Sequence, residues 1–110
     1  MVRLDTEQAK ILGKSKTYEE FLINKDLLGF KGKKFGQNDS FEILKWMAYF
    51  HKDSALACKI VEEAKHITIG YTLLERACDN TYGYFIGQSK NAKQNAIDIY
   101  HAVHAWFAHY

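Results

Sequence analysis

The stretch from Asn91 to Tyr110 contains the clearest amphipathic pattern in the chain. At 100° per residue, one third of the helix circumference collects its apolar and aromatic side chains: Ala96, Ile99, Tyr100, Val103, Trp106, Phe107 and Tyr110. Asn91, followed three residues later by Gln94, has the spacing of an N-cap with a reciprocal partner. We therefore predict a long helix whose apolar arc faces a core, and other elements must cover that arc.

Two short helices are predicted near the start of the chain. Two residue pairs have the spacing of a capping box, in which each member bonds a backbone N–H of the other: Asp5 with Gln8, and Thr17 with Glu20. Gly13 is placed to end the first helix in a left-handed turn, and Gly29 to end the second. The predicted ranges are 5–12 and 17–28.

A third helix is predicted over 40–51, with Asp39 or Ser40 as its cap. Apolar side chains surround it almost completely: Phe41, Ile43, Leu44, Trp46, Met47, Ala48, Tyr49 and Phe50. A helix that is apolar on all sides is either buried or part of an interface. We expect it to be central, with Trp46, Tyr49 and Phe50 contributing surplus aromatic surface to a protein interface.

A fourth helical pattern covers 54–78, with a possible interruption at Thr68 to Gly70, and the segment from Asp79 to Ser89 connects it to the final helix at 91–110. Taken together, these patterns predict an all-α fold. We expect an irregular four- to five-helix bundle in which residues 1–110 form a single compact domain.

The composition suits one globular domain. The chain has 110 residues, of which 47% are hydrophobic. No apolar run approaches the roughly 20 residues of a bilayer span, and Met1 to Thr6 lacks the layout of a signal peptide. We expect a cytoplasmic protein without membrane association. Cys58 and Cys78 lack metal-ligand spacing and are expected to be free, partly buried thiols.

The loop at 30–39 is the main basic feature, although the formal net charge of +2 does not by itself imply nucleic acid. Lys31, Lys33 and Lys34 can attract an anion, and Phe35 can stack on a base. The spacing of a phosphate-binding loop is absent. This favours a solvated loop held by two buried phenylalanines over a nucleic-acid contact.

Residues Thr6 to Leu22 resemble a helix-turn-helix motif. The small, apolar and turn positions of that motif are matched by Gln8, Ala9, Leu12, Gly13, Ser15 and Leu22. The resemblance implies DNA binding by the second helix. Lys14 and Glu19 depart from the motif where it packs aliphatic side chains, and the acidic Glu19 and Glu20 would face phosphates that repel them. Two short packing helices are the alternative.

A metal site is the competing hypothesis from a different functional class. Glu63 with His66, and Asp98 with His101, have the acid-x-x-His spacing of helices that hold a di-iron centre. Both histidines lie far from the apolar stripes of their helices, which favours ordinary surface residues. No activated nucleophile can be identified from the sequence. We therefore expect no cofactor and no enzymatic activity.

The back of the final helix carries Ala102, Ala105 and Ala108, which are small enough for another copy of the chain to approach. This predicts a possible homodimer. The interpretation that best fits the whole sequence is a small non-enzymatic binding or regulatory protein that acts through protein contacts. The loop lysines would then add a possible anion or nucleic-acid contact.

Overall fold

The computed structural model describes residues 4–62 and 91–108. These residues form five helices, which are α1 (Thr6–Gly13), α2 (Tyr18–Leu27), α3 (Gln37–Phe50), α4 (Ser54–Val61) and α5 (Ala92–Ala108). No strand occurs in the described ranges. The all-α prediction is confirmed, and α1, α2, α4 and α5 each begin within one residue of the predicted position.

Helix α3 is the central element, as its apolar composition predicts. It packs against α1, α4 and α5. The side chains that it buries come from all around its circumference: Phe41, Ile43, Leu44, Trp46, Met47 and Ala48. From α5, four residues of the predicted arc are buried: Ala96, Ile99, Tyr100 and Val103. Trp106 is half-buried, and the side chains of Phe107 and Tyr110 lie outside the described residues. Helix α2 lies at the edge of this core and contacts α1 and α4.

The first helix ends differently from the prediction. Among the described glycines, only Gly29 and Gly32 have positive φ, so Gly13 forms no left-handed turn. Gly13 is instead the last residue of α1, at the point where that helix meets α3. A Cβ atom added at Gly13 would lie 2.5 Å from the Cβ of Trp46 and 2.9 Å from the backbone nitrogen of Met47. Glycine is needed here for close helix contact.

Helix α3 begins earlier than predicted, with Gly36 as its N-cap. The predicted caps lie inside the helix. Asp39 lies in the first turn, where its negative charge interacts favourably with the helix dipole. Its Oδ1 atom accepts a hydrogen bond from the backbone N–H of Leu4 at 3.3 Å. Ser40 is buried. The Asp39 carboxylate is therefore used by a distant segment and not by the helix end.

Side chains from other elements bond the carbonyl ends of α1 and α3. A ring nitrogen of His51, Nε2, lies 3.2 Å from the carbonyl oxygen of Gly13 at the end of α1. The Nδ2 atom of Asn95, in α5, donates to the carbonyl oxygen of Ala48 at 2.9 Å. The last carbonyl groups of a helix have no partner within that helix. These two bonds therefore tie helix ends to neighbouring elements.

Helix α4 begins where the fourth helix is predicted, with Asp53 as its N-cap, but it ends at Val61 with Glu62 as its C-cap, short of the predicted end at residue 78. The Oδ1 atom of Asp53 accepts from the backbone N–H of Leu56 at 2.9 Å. The rest of the predicted helix, including the interruption at Thr68 to Gly70, lies outside the described residues, as does the connection from Asp79 to Ser89. Among the described helices, none combines the length and apolarity needed to cross a membrane.

Candidate protein-binding face

The outward side of α2 exposes large apolar side chains. Leu27 is 79% exposed and Ile23 is 59% exposed, whereas Leu22 is exposed to a smaller extent. Ile11 of α1 is the remaining large hydrophobic residue in the exposed group among the described residues. Single exposed apolar residues are common on protein surfaces, but a cluster on one helix marks a candidate interaction site.

The helical period separates two faces of α2. Phe21 and Lys25 are buried, and Leu28 at the end of the helix packs against the core. Ile23 and Leu27 are four residues apart, so they are neighbours on one face of the helix. That face lies opposite Phe21 on the helical wheel. Packing of α2 onto the core therefore leaves this pair in solvent.

Both ends of α2 are well defined. The Thr17 hydroxyl accepts from the backbone N–H of Glu20 at 3.1 Å, which confirms the predicted N-cap. The Glu20 carboxylate accepts from the backbone N–H of Lys16 at 3.0 Å and not from that of Thr17, so the capping box is only half formed. At the other end, the backbone N–H groups of Gly29 and Phe30 donate to the carbonyl oxygens of Asp26 and Lys25, both at 3.0 Å. With Gly29 at φ 87°, this is a Schellman ending. The exposed pair is therefore held on a firmly terminated helix.

Negative charge surrounds the exposed apolar residues. The lysine of this helix, Lys25, is buried, and its Nζ atom lies 5.1 Å from the ring centroid of Phe35. The exposed charged side chains of α2 are therefore all acidic. We call the outward surface of this helix the α2 face, and it consists of three apolar and three acidic residues: Leu22, Ile23, Leu27, Glu19, Glu20 and Asp26.

The basic loop has the solvated form that the sequence favours. Lys31, Lys33 and Lys34 are exposed. Gly32 has φ 73°, and the backbone N–H of Lys33 donates to the carbonyl oxygen of Phe30 at 3.0 Å, which closes a tight turn.

The assignment of Phe35 to a nucleic-acid contact is wrong. Its side chain is 2% exposed, and its ring makes edge contacts with Phe21 and Phe30. A base cannot stack on a ring whose faces are already covered by the core. Phe35 instead holds the loop against the core.

The predicted aromatic interface is corrected at Trp46 and stays a prediction at Tyr49 and Phe50. Trp46 is 6% exposed, and the Nζ atom of Lys10 lies 5.4 Å from its ring centroid. Tyr49 and Phe50 are half-buried, and the Nζ atom of Lys14 lies 4.9 Å from the ring of Phe50. These rings pack against one another and under lysine side chains. Their surface is largely used within the chain, because α1 lies over α3.

The alanine surface of α5 is divided between the chain's own packing and solvent. Ala102 is half-buried, and the sulfur of Cys58 in α4 lies 3.8 Å from its carbonyl oxygen. Ala105 is exposed, and the side chain of Ala108 lies outside the described residues. Helix α4 therefore covers part of the surface assigned to a homodimer. A dimer through Ala105 stays a prediction.

The described half of the predicted metal site forms other contacts. Asp98 accepts from the Nζ atom of Lys52 at 2.9 Å and from the Nε2 atom of Gln94 at 3.0 Å. The hydrogen bond from Lys52 is the main cause that lowers the pKa of the Asp98 carboxyl. His101 is exposed, and Glu63 and His66 lie outside the described residues. Within 4–62 and 91–108, no three His, Cys, Asp or Glu side chains cluster as metal ligands.

Burial shifts the pKa values of two further groups. It raises the pKa of the half-buried Cys58 thiol, which favours the neutral form over a reactive thiolate. Burial is also the largest cause of the lowered pKa of His51, with the nearby charge of Lys16 as the next cause. Cys58 and His51 therefore contribute chiefly to packing and to helix-end contacts.

Helices α1 and α2 occupy the two predicted positions of a helix-turn-helix. The exposed charges of α2 are acidic at Glu19, Glu20 and Asp26, which disfavours its approach to DNA phosphates. Ile23 and Leu27 were not among the residues that the sequence analysis selected. Their spacing of four, on the side opposite Phe21, is the signal that identifies them.

Comparison of the chain with protein-family models, curated proteins and solved structures finds no match.

Proposed function

We propose that this protein is a small non-enzymatic binding module that docks a protein partner on the α2 face. The high exposure of Ile23 and Leu27, side by side on one helix, carries this proposal. Moving apolar surface from water into an interface is favourable by about 25 cal/mol per Å². Neither side chain contributes that surface to the core formed by residues 4–62 and 91–108. A regulatory role through reversible protein contacts follows from such a site.

The size of the α2 face indicates a weak, reversible complex. The helix has 10 residues and is about 15 Å long. One short helix supplies only part of the roughly 1,600 Å² that a standard protein interface buries in total. Transient complexes use interfaces at the small end of this range. We therefore expect rapid dissociation, as is usual for regulatory interactions.

Site-specific photo-crosslinking in the native cell tests the proposal. A photoreactive amino acid replaces Ile23 or Leu27, and in a control chain it replaces the exposed Lys93 of α5. We expect both α2 positions to capture the same protein and the control position not to capture it. The captured protein, once purified, should bind the wild-type chain in calorimetry and should bind Ile23→Asp much more weakly. Failure of this reconstitution would contradict the proposal.

The loop at Lys31, Lys33 and Lys34 is a second candidate site, for an anion or a nucleic acid. The observation that favours it is the turn at Gly32, which lies between exposed lysines that are adjacent along the chain. Binding of a single-stranded oligonucleotide should weaken as salt rises, and replacement of all three lysines by alanine should reduce the salt dependence. Replacement of Lys93 by alanine is the control. If the affinity for the oligonucleotide changes neither with salt nor with the triple replacement, this site is excluded.

A further inference from the structure

We infer that the partner segment of the α2 face is a basic amphipathic helix. The inference rests on the proposed function and adds the chemistry of the partner. Three observations support it: the sign of the charge around the apolar stripe, the shape of that stripe, and the internal hydrogen bonding of α2.

The charge on the α2 face is opposite in sign to that of the whole chain. The formal net charge is +2, yet the exposed ionisable side chains of α2 are Glu19, Glu20 and Asp26. Lys25 does not offset them at this surface, because its side chain is buried on the other side of the helix. Lysine and arginine around the partner's apolar residues therefore fit this surface. Phosphate groups of nucleic acids or anionic lipids are repelled by it.

Exposed lysines lie beyond both ends of the α2 face. Lys16 precedes the N-cap of α2, and the loop lysines begin at Lys31, after its C-terminal end. The acidic residues Glu19, Glu20 and Asp26 lie between them along the chain. We therefore expect charge reversal at these acidic residues to weaken the binding of a basic partner.

The shape of the apolar stripe suits a helix. Ile23 and Leu27 are one turn apart and form a short ridge along α2. Ridges of this kind pack into the grooves between side chains of a second helix. The backbone groups in the middle of α2 are already bonded within the helix, so an extended strand has no free backbone edge to pair with. The partner must therefore bind through side chains.

A titration of the full chain with synthetic peptides tests the inference. The probe is an amphipathic leucine–lysine peptide of about 18 residues, which forms about five helical turns. The matched comparison peptide has glutamate in place of lysine. Backbone amide signals are followed by nuclear magnetic resonance. We expect the leucine–lysine peptide to shift the signals of α2 residues and the leucine–glutamate peptide to leave them unchanged.

Variants locate the site and separate its two components. Ile23→Asp should weaken binding of the leucine–lysine peptide about tenfold or more, because it places a charge in the apolar contact. The double variant E19K/E20K should weaken it by roughly threefold to tenfold through like-charge repulsion. Glu7→Lys, on the exposed surface of α1, makes the same kind of charge change elsewhere and should have little effect. The replaced residues are exposed, and thermal unfolding checks that each variant folds.

Four results would overturn the inference: no peptide binding, equal binding of both peptides, signal shifts outside α2, or self-association abolished by Ile23→Asp. The last result would assign the α2 face to a second copy of the chain. The proposed function fails separately, through the crosslinking experiment. A captured partner that docks through a neutral or acidic surface would leave the proposed function standing and overturn only the inference about its chemistry.

Discussion

Glycine serves different purposes at three positions of this chain. Gly29 and Gly32 have φ values of 87° and 73°, a backbone conformation that other residues rarely adopt. Gly13 has no positive φ, but the absence of a side chain lets α1 approach the backbone of α3 closely. Sequence position alone suggests a helix stop at Gly13 and at Gly29. The neighbouring atoms show that Gly13 is a packing residue.

Replacement of Gly13 by alanine is expected to destabilise the protein. In an isolated helix, alanine is more favourable than glycine by about 1 kcal/mol. Here its Cβ would lie 2.5 Å from that of Trp46, so the two helices must separate. Overpacking of this kind costs about 1–3 kcal/mol, so after subtraction of the helix gain we expect a net loss of up to about 2 kcal/mol in the free energy of unfolding. Urea denaturation measures it, with Ile11→Ala as the exposed control on α1. Unchanged or increased stability would contradict the prediction.

Gly36 is a position where an added side chain is expected to stabilise the protein. It is the N-cap of α3, with φ −79° and no side-chain hydrogen bond, and no atom lies within 4 Å of the point that a Cβ would occupy. Gly36→Ser adds a hydroxyl that can accept from the first turn. We expect it to exceed Gly36→Ala in stability by about 1 kcal/mol, because alanine has no capping atom. Thermal unfolding of both variants measures the difference. Equal stability would show that the hydroxyl forms no cap.

At the scale of elements, the helices depend on one another for their ends. The side chain of His51, which follows α3, bonds the end of α1, and Asn95 of α5 bonds the end of α3. A carbonyl group buried without a partner costs about 1–3 kcal/mol. If one helix separates from the others, carbonyl groups at the end of a neighbouring helix lose their hydrogen-bond partners. This arrangement favours cooperative unfolding of α1, α3 and α5.

Burial of His51 is expected to make stability depend on pH. Burial lowers the pKa of His51 below its ordinary value of 6.5, so the unfolded chain binds a proton more readily than the folded chain. The free energy of unfolding should therefore fall as the pH drops below about 6.5 and continue to fall until the folded-state pKa is reached. Above that range His51 contributes no pH dependence.

Urea denaturation at a series of pH values measures this effect. His51→Gln keeps a hydrogen-bond donor but does not titrate, so its stability should vary less with pH between about 7.5 and 5 than that of the wild type. The exposed His104→Gln variant is the matched control for the replacement of a histidine by glutamine. If the wild type and His51→Gln have the same slope in this range, His51 is not the source of the pH dependence.

At the scale of the whole molecule, the core and the proposed binding surface lie on different elements. Helices α1, α3, α4 and α5 supply most of the buried apolar residues, whereas α2 contacts this core with one side and exposes the other. Binding at the α2 face can therefore vary without loss of the fold. If the proposed function is correct, replacement of Ile23 or Leu27 should affect recognition, and replacement of a buried residue such as Leu12 should affect stability.

A pair of leucine variants tests this separation. Leu27→Glu changes a side chain that is 79% exposed and should alter the free energy of unfolding by no more than about 0.5 kcal/mol. Leu12→Ala removes buried methyl groups and should cost about 2–5 kcal/mol. Chemical denaturation of both variants gives the comparison. Marked destabilisation by Leu27→Glu would mean that this side chain supports the fold.

Local chemistry in the sequence was sufficient to predict most of the described helices. The capping pair Asp5 and Gln8 forms both of its predicted hydrogen bonds, at 2.8 and 3.1 Å. The Thr17 cap and the Gly29 stop are also confirmed. These signals are reliable because each involves residues within one or two turns. The apolar composition of α3 likewise predicts its central position, because no orientation leaves such a helix well solvated.

Tertiary structure decided which residues remained available for binding. Trp46 and Phe35 have the chemistry of ligand contacts, but neighbouring helices and rings bury them, whereas Ile23 and Leu27 have the chemistry of core residues and stay in solvent. The reason is that burial depends on which elements meet in space, and those elements are far apart along the chain. Sequence periodicity determines that a helix has an apolar face. Only packing determines which apolar face is covered, and at α2 the uncovered one becomes the proposed binding surface.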